Sequence, residues 1–233
     1  MKFEESKVLQ QLPKQFFASL VKKVNAKVAT GADVINLGQG NPDQPTPDFI
    51  IKAMQEQTAI PANHKYSQFR GDPALKQAAA NFYQREYGVT LDPDTEIAIL
   101  GGSKIGLVEL PFAILNPGDT MLLPDPGYPD YLSGVALAQV KLELMKLREA
   151  DDFLPDYDSI DPQVVRDAKL MYLNYPNNPT GAVATSDFYQ KLSPLRKLIT
   201  SALFKTLPMG RLDLMAKKPV SFFTNTRCQR RRD

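Results

Sequence analysis

The chain has 233 residues, 43% of them hydrophobic and 23% charged, with a formal net charge of +2. That length can bury a sizeable core as one or two domains, and the composition is that of an ordinary globular protein. No apolar run reaches membrane-spanning length, and the single cysteine, Cys228, excludes an intrachain disulfide.

The first residues, Met1-Lys-Phe-Glu-Glu-Ser-Lys7, carry no signal-peptide apolar segment, so the expected location is cytoplasmic, with no membrane partner. Charge is unevenly spread. Residues 193–233 hold ten Lys/Arg and two acids, a net of +8, which leaves residues 1–192 at −6. Such asymmetry can mark an arm for nucleic acid. A tail built for that purpose interleaves its cations with Gly, Ser or aromatics on one helical face. This tail scatters Leu, Phe and Met among its charges and ends in Arg230-Arg-Arg-Asp233, which argues against nucleic acid.

Taken in order, residues 14–30 place Phe16, Phe17, Leu20, Val21, Val24 and Val28 at helical spacing. Residues 34–37 read as a short strand, broken by Gly38-Gln-Gly-Asn-Pro42. Asp72-Pro73 reads as a helix start, with the helix closing near Gly88. Then come a strand at 96–100, a helix at 103–115, a strand at 120–124, a helix at 128–138, and strands at 140–147 and 169–174. Alternation with short Gly/Pro turns predicts a mostly parallel α/β sheet. From residue 193 the periodicity weakens and the βα rhythm is expected to stop.

Open α/β sheets bind ligands at the carboxyl ends of their strands. Three segments fall there. Leu100-Gly-Gly-Ser-Lys-Ile-Gly106 joins a strand to a helix start that favours anions, with Ser103 adding a donor and Lys104 a charge. It lacks P-loop spacing, and taken alone such a Gly-rich join is more often a tight turn; its place in a βα series strengthens the anion reading. Asp125-Pro-Gly-Tyr-Pro-Asp-Tyr131 could hold the Tyr128 ring face-on to a planar ligand, or pack it over a Pro-rich turn. Asn174-Tyr-Pro-Asn-Asn-Pro-Thr-Gly181 puts amide side chains at the end of an apolar strand. Asn36-Leu-Gly-Gln-Gly-Asn-Pro42 reads first as a structural turn, and could alternatively offer the Gly40 amide to a carboxylate. Tyr66 stands before a helix, beside Arg70. The sole histidine, His64, sits in a polar loop and takes no role, and no Cys/His cluster has metal-ligand spacing.

Together these segments resemble the class I/II aminotransferases of fold type I, which use pyridoxal 5′-phosphate (PLP). The strings N-L-G-Q-G-N-P-D-x-P-T-P, F-Y-x-R-E-Y-G, L-N-P-G-D and L-N-Y-P-N-N-P-T-G-A-V-A appear in the family's order over residues 1–192. They resemble in particular its bacterial methionine-salvage and bacilysin-type branches. The resemblance implies a partial three-layer α/β/α large domain over 46–192, an N-terminal arm and small-domain segment over 1–45, and an aberrant basic tail over 193–233. It implies PLP as cofactor, an amino acid and a 2-oxo acid as substrates, and a homodimer. By resemblance Gly40 meets the substrate carboxylate, and Ser103 and Lys104 hold the PLP phosphate. Tyr128 stacks on the pyridine ring, Asn178 bonds its 3′-oxygen, and Tyr66 reaches the partner subunit's PLP.

Three elements of that family have no counterpart in these residues: the D-x-A-Y aspartate, the Schiff-base lysine and the carboxylate-binding arginine. The catalytic set is therefore expected to be incomplete and the chain inactive alone. Plausible codons for residues 193–216, regrouped from the third base, translate as A-F-A-K-T-H-N-I-S-V-V-Q-D-F-A-Y-G-A-I-G-F-D-G. That string contains the absent aspartate segment, so the tail reads as out of frame after about Leu192. The alternative from residues alone is a non-catalytic fragment whose basic tail binds nucleic acid or acidic partners.

Overall fold

The structure is a computed structural model. It describes residues 4–14, 16–38, 44–198 and 203–206, and from residue 193 onward only backbone. The chain divides into two compact units: Lys14–Asp72, and the residues up to Pro13 joined with those from Pro73 on. The larger unit begins with a single-turn helix, α1 (Lys7–Gln10), capped by the Ser6 hydroxyl, which accepts from the Leu9 amide.

The smaller unit contains α2 (Phe16–Val28) and α3 (Asp48–Thr58), followed by a 3₁₀ turn at Pro61–His64. The α2 periodicity predicted from sequence is present. Residues 34–37 form no strand: Ile35 and Leu37 are exposed, and no strand among the described residues supplies a ladder. His64 is bonded through Nε2 to the Thr58 carbonyl oxygen, a contact within the smaller unit. Residues 39–43, Gly40 among them, lie outside the described residues.

The larger unit continues with α4 (Pro73–Tyr87), α5 (Ser103–Ile114), β1 (Thr120–Asp125), α6 (Tyr131–Ala138), β2 (Lys141–Lys146), α7 (Pro162–Asp167), β3 (Ala168–Asn174), α8 (Ser186–Leu198) and β4 (Leu203–Thr206). The four strands are parallel, in the order β2-β1-β3-β4. The strand expected at 96–100 is absent. Asp92 and Glu96 close a turn on themselves, with the Glu96 amide donating to the Asp92 carbonyl and the Asp92 amide to the Glu96 carboxylate. No described strand lies beside 96–100, so its backbone groups gain nothing from extension. The βα rhythm does not stop at residue 193 as expected: α8 runs to Leu198, and β4 pairs Met171 with Leu203 through Asn174 with Thr206. The rest of the basic tail lies outside the described residues.

Strand alternation splits the core into two layers. Met121, Leu123, Leu170 and Tyr172 point to one face and pack with Leu107, Leu115 and Tyr131. Leu122, Met171 and Leu173 point to the other and pack with Tyr157, Phe188, Tyr189 and Leu192. Helices thus cover both faces, and β1 and β3 read as continuous apolar runs because both of their faces are buried. Each such side chain contributes about 1.5–3 kcal/mol when fully buried.

One polar contact locks α5 onto the sheet. Pro111, inside α5, has no N–H, so the Leu107 carbonyl loses its helical donor. The buried Tyr172 hydroxyl of β3 donates to that carbonyl at 2.9 Å. Burial raises the Tyr172 pKa, so the phenol stays a donor throughout the working range. At the opposite end of the sheet, Asp119 accepts from the Lys169 ammonium at 2.7 Å and from the Asn116 amide at 2.8 Å. These two contacts, the lysine first, hold its carboxyl below its ordinary value of 3.8.

Tyr172→Phe strands the Leu107 carbonyl and is expected to cost about 1–3 kcal/mol in urea unfolding. In a Pro111→Ala background the new amide can serve that carbonyl, so the same change should cost measurably less. Equal costs in both backgrounds would refute this account. Asp119→Asn is expected to lower Tm at neutral pH. Because the folded pKa is depressed, the contribution is complete above 3.8 and disappears as pH falls through the lower folded value. The Tm gap should therefore close in acid, as followed by circular dichroism.

Candidate active site

After β1 the chain turns to one side to form β2, then crosses back to form β3 on the other side of β1. The connections leaving β1 and β3 therefore part in opposite directions, and the crevice between their carboxyl ends is where an open α/β sheet takes its ligand. The loops that follow those two strands are Pro126–Asp130 and Tyr175–Thr185, and both contain sequence-predicted residues.

The loop after β1 carries Tyr128 toward the start of α5. Gly102 precedes that helix with φ 118° and ψ 148°, a conformation that needs glycine, and it offers no side chain to cap the helix. The first amides of α5 have no helical partner, and the helix dipole adds positive potential there. Ser103 and Lys104 stand exposed at this end. The Lys104 ammonium lies 2.7 Å from the Asp130 carboxylate and 5.7 Å from the centre of the Tyr128 ring. Asp130 first, and then Tyr128, hold the Lys104 pKa above its ordinary value. The half-buried Tyr128 ring meets Tyr131 edge-on at 5.6 Å, and Tyr131 meets Tyr172 at 5.1 Å, which ties the site to the locked core. Burial is the main cause raising the Tyr128 pKa, so it too stays a neutral phenol.

The loop after β3 is folded by Asn177. Its backbone amide donates to the Ala182 carbonyl at 2.8 Å, and its carbonyl accepts from the Gly181 amide at 2.8 Å. Its side-chain oxygen accepts from the Thr180 hydroxyl at 2.9 Å, and that hydroxyl oxygen accepts from the Ala182 amide at 3.3 Å. The clamp leaves Asn178 exposed at the turn. Asn174 and Asn177 are buried, and the Asn174 Oδ1 and Asn177 Nδ2 atoms find no hydrogen-bond partner among the described residues.

The structure thus brings Ser103, Lys104 and Tyr128 to one end of the crevice, and Asn178 to the loop that follows the neighbouring strand, β3. Tyr66 is fully exposed in the smaller unit, and Gly40 is among the residues not described. Sequence reading missed Asp130 and Asn177. Asp130 had no local signal, since its partner lies in another helix start. Asn177 could have been found as an Asx-type turn residue three positions before Thr180. Among the described residues no helix is long and apolar enough to cross a membrane, and no group of three or more His/Cys/Asp/Glu could hold a metal ion.

The family model for aminotransferase class I and II matches residues 32–199. The chain belongs to the class I and II aminotransferases. It is 67% identical over 190 residues to the L-glutamine–4-(methylsulfanyl)-2-oxobutanoate aminotransferase of Bacillus subtilis, covering 82% of this chain and 48% of that protein. It is 49% identical over 222 residues to the transaminase BacF of the same organism, covering 95% of this chain and 55% of BacF. The apo structure of BacF superposes with a TM-score of 0.88 at 49% identity, covering 96% of this chain and 57% of that one. This aminotransferase chain therefore spans about half the length of the relatives it matches. Members of the family use PLP.

Thr180→Val removes the hydroxyl that joins Asn177 to Ala182. The loop is expected to lose about 1 kcal/mol of local stability per hydrogen bond, seen as faster hydrogen exchange at the Gly181 and Ala182 amides with β1 unaffected. Unchanged exchange at those amides would show that the clamp does not hold the loop.

Proposed function

We propose that this chain supplies the phosphate-binding and ring-stacking half of a PLP aminotransferase site. The observation that carries this reading is the convergence of an uncapped helix start, Lys104 and Tyr128 beside the Asn177–Ala182 loop, at the carboxyl ends of adjacent parallel strands.

The residues present fit the group. The free amides of α5 and the Ser103 hydroxyl donate to phosphate oxygens, and Lys104 adds charge. The Tyr128 ring stacks on the pyridine face, worth about 0.5–1.5 kcal/mol. Asn178 donates from its side-chain amide to the 3′-oxygen. Tyr66 serves the phosphate of the partner subunit's PLP, and Gly40 offers its amide to the substrate carboxylate. PLP, when bound, supplies an electron sink for bonds at the substrate α-carbon. The neutral Tyr128 phenol excludes water from one face of that sink and adds no charge to it.

The same reading covers the whole molecule. Residues 1–45 are the arm and small-domain segment, 46–192 the partial large domain, and 193–233 a tail read out of frame whose first residues still complete α8 and add β4 to the sheet. The complete protein is a cytoplasmic homodimer acting on an amino acid and a 2-oxo acid. Its 67% identity to the glutamine-dependent enzyme supports 4-(methylsulfanyl)-2-oxobutanoate as the acceptor and glutamine as the donor. No segment here matches the family's Schiff-base lysine, its D-x-A-Y aspartate or its carboxylate-binding arginine, so the chain alone holds cofactor without turning it over.

The test has two parts. In equilibrium dialysis the purified chain should retain PLP, and inorganic phosphate should compete. Mixed with PLP, glutamine and 4-(methylsulfanyl)-2-oxobutanoate, the chain should give no transamination above the PLP-only background. Turnover would overturn the inactivity of the chain alone, and phosphate-insensitive PLP retention would overturn the assignment of Ser103 and Lys104.

A further inference from the structure

Asp130 occupies the N-cap position of α6, where an aspartate ordinarily accepts from the first amides of its own helix. It makes no such cap bond. Its carboxylate instead reaches the Lys104 ammonium of a different helix, at 2.7 Å. The two helix starts meet because α5 and α6 pack closely at Gly134. A Cβ on Gly134 would lie 3.2 Å from the Leu107 carbonyl oxygen and 3.2 Å from Pro111 Cγ. α5 is fixed in turn by the Tyr172 hydroxyl on Leu107. The pair is asymmetric: the Asp130 side chain is 15% exposed and the Lys104 side chain 63%. The carboxylate is the fixed partner, and the lysine, with four rotatable bonds and three donors, is the one that needs fixing.

We propose that Asp130 is a positioning residue that anchors Lys104 at the anion-receptive start of α5, and thereby sets the affinity of that end of the site for phosphate monoesters. The proposal rests on reading the α5 start as the phosphate site. The buried Asp130 carboxylate oxygen that faces Lys104 has no hydrogen bond among the described residues, so the contact is an ion pair, and the Lys104 N–H groups stay available to a ligand. The same cation stands above the Tyr128 ring, so one carboxylate fixes the lysine relative to both the helix start and the aromatic face. A carboxylate beside an anion site also repels the anion, so anchoring and repulsion predict opposite signs on its removal. The geometry favours anchoring, because the ion pair neutralises the Asp130 charge and the α6 dipole offsets part of the rest.

The experiment measures inorganic phosphate and PLP binding to the full 233-residue chain by equilibrium dialysis. Asp130→Asn should weaken both about threefold, the scale of a partly exposed ion pair. Pyridoxal, which lacks the phosphate, should bind the variant and the parent alike. In a Lys104→Met background Asp130→Asn should have no further effect, a coupling that a purely structural role would not produce. Should Asp130→Asn not fold, Asp130→Ser keeps a capping side chain and carries the same expectation. Unchanged or tighter phosphate binding, or an equal loss in the Lys104→Met background, overturns the proposal. A parent chain that binds neither phosphate nor PLP overturns the reading of the α5 start, and the proposal with it. A parent that binds both, with an Asp130→Asn variant that binds as well, overturns the role of Asp130 alone.

Discussion

A single hydrogen bond, from the Tyr172 hydroxyl to the Leu107 carbonyl, sets where the candidate site can be. Pro111 removes one donor from the middle of α5 and so creates a buried acceptor that must be served from outside the helix. Only a long side chain with a terminal donor, rising from the sheet below, can do this. Tyr172 sits on β3, the strand paired with β1. The contact therefore fixes α5 against the same pair of strands whose carboxyl ends frame the crevice. The edge-to-face series Tyr172, Tyr131, Tyr128 carries that order outward, from the locked core to the ring at the mouth of the site.

The charged groups follow from the same placement. Lys104 lies in the first turn of α5 and Asp130 at the cap of α6, and both ends point to the same region because the helices touch at Gly134. The first turn of α5 carries no acidic residue, and its cap position carries no side chain. Its amide dipoles thus remain available, and the carboxylate nearest to the site is spent on a lysine. On this arrangement the fold delivers positive potential and an aromatic face at the same point.

Much of this was legible in the sequence, and the reasons for success and failure differ by residue. β1 and β3 were readable because apolar runs bounded by Gly/Pro turns signal buried parallel strands, and β2, an edge strand, from its alternation of apolar and charged residues. α5 was readable from its Gly-rich start and from the Asn-Pro-Gly stop behind it. Ser103, Lys104 and Tyr128 were singled out by motif order; Tyr128 follows β1, whereas the strand expected ahead of Ser103 does not form. The strands expected at 34–37 and 96–100 failed for one shared reason: local apolar alternation does not supply a partner, and a strand without a ladder leaves its backbone groups to water or to turns. The continuation through α8 and β4 was missed because weak periodicity in charged sequence hides a short strand set beside the apolar β3. Asp130 could not be read, since its contact with Lys104 depends on the close packing of α6 against α5 at Gly134, which is set in three dimensions rather than along the chain.

The two units also differ in how they are held. Neither α2 nor α3 contains a buried residue, and Phe49 and Met54 remain largely exposed on α3. Helices of 13 and 11 residues are marginal in water without an apolar face against something else. The larger unit has two continuous buried clusters, one on each face of its sheet. Burial of that kind is what outweighs the roughly 1–2 kcal/mol of backbone entropy lost per ordered residue. The larger unit therefore contains the stable scaffold, and it is also the unit that presents Ser103, Lys104, Tyr128 and Asn178. Tyr66 lies in the smaller unit, whose described helices bury no residue.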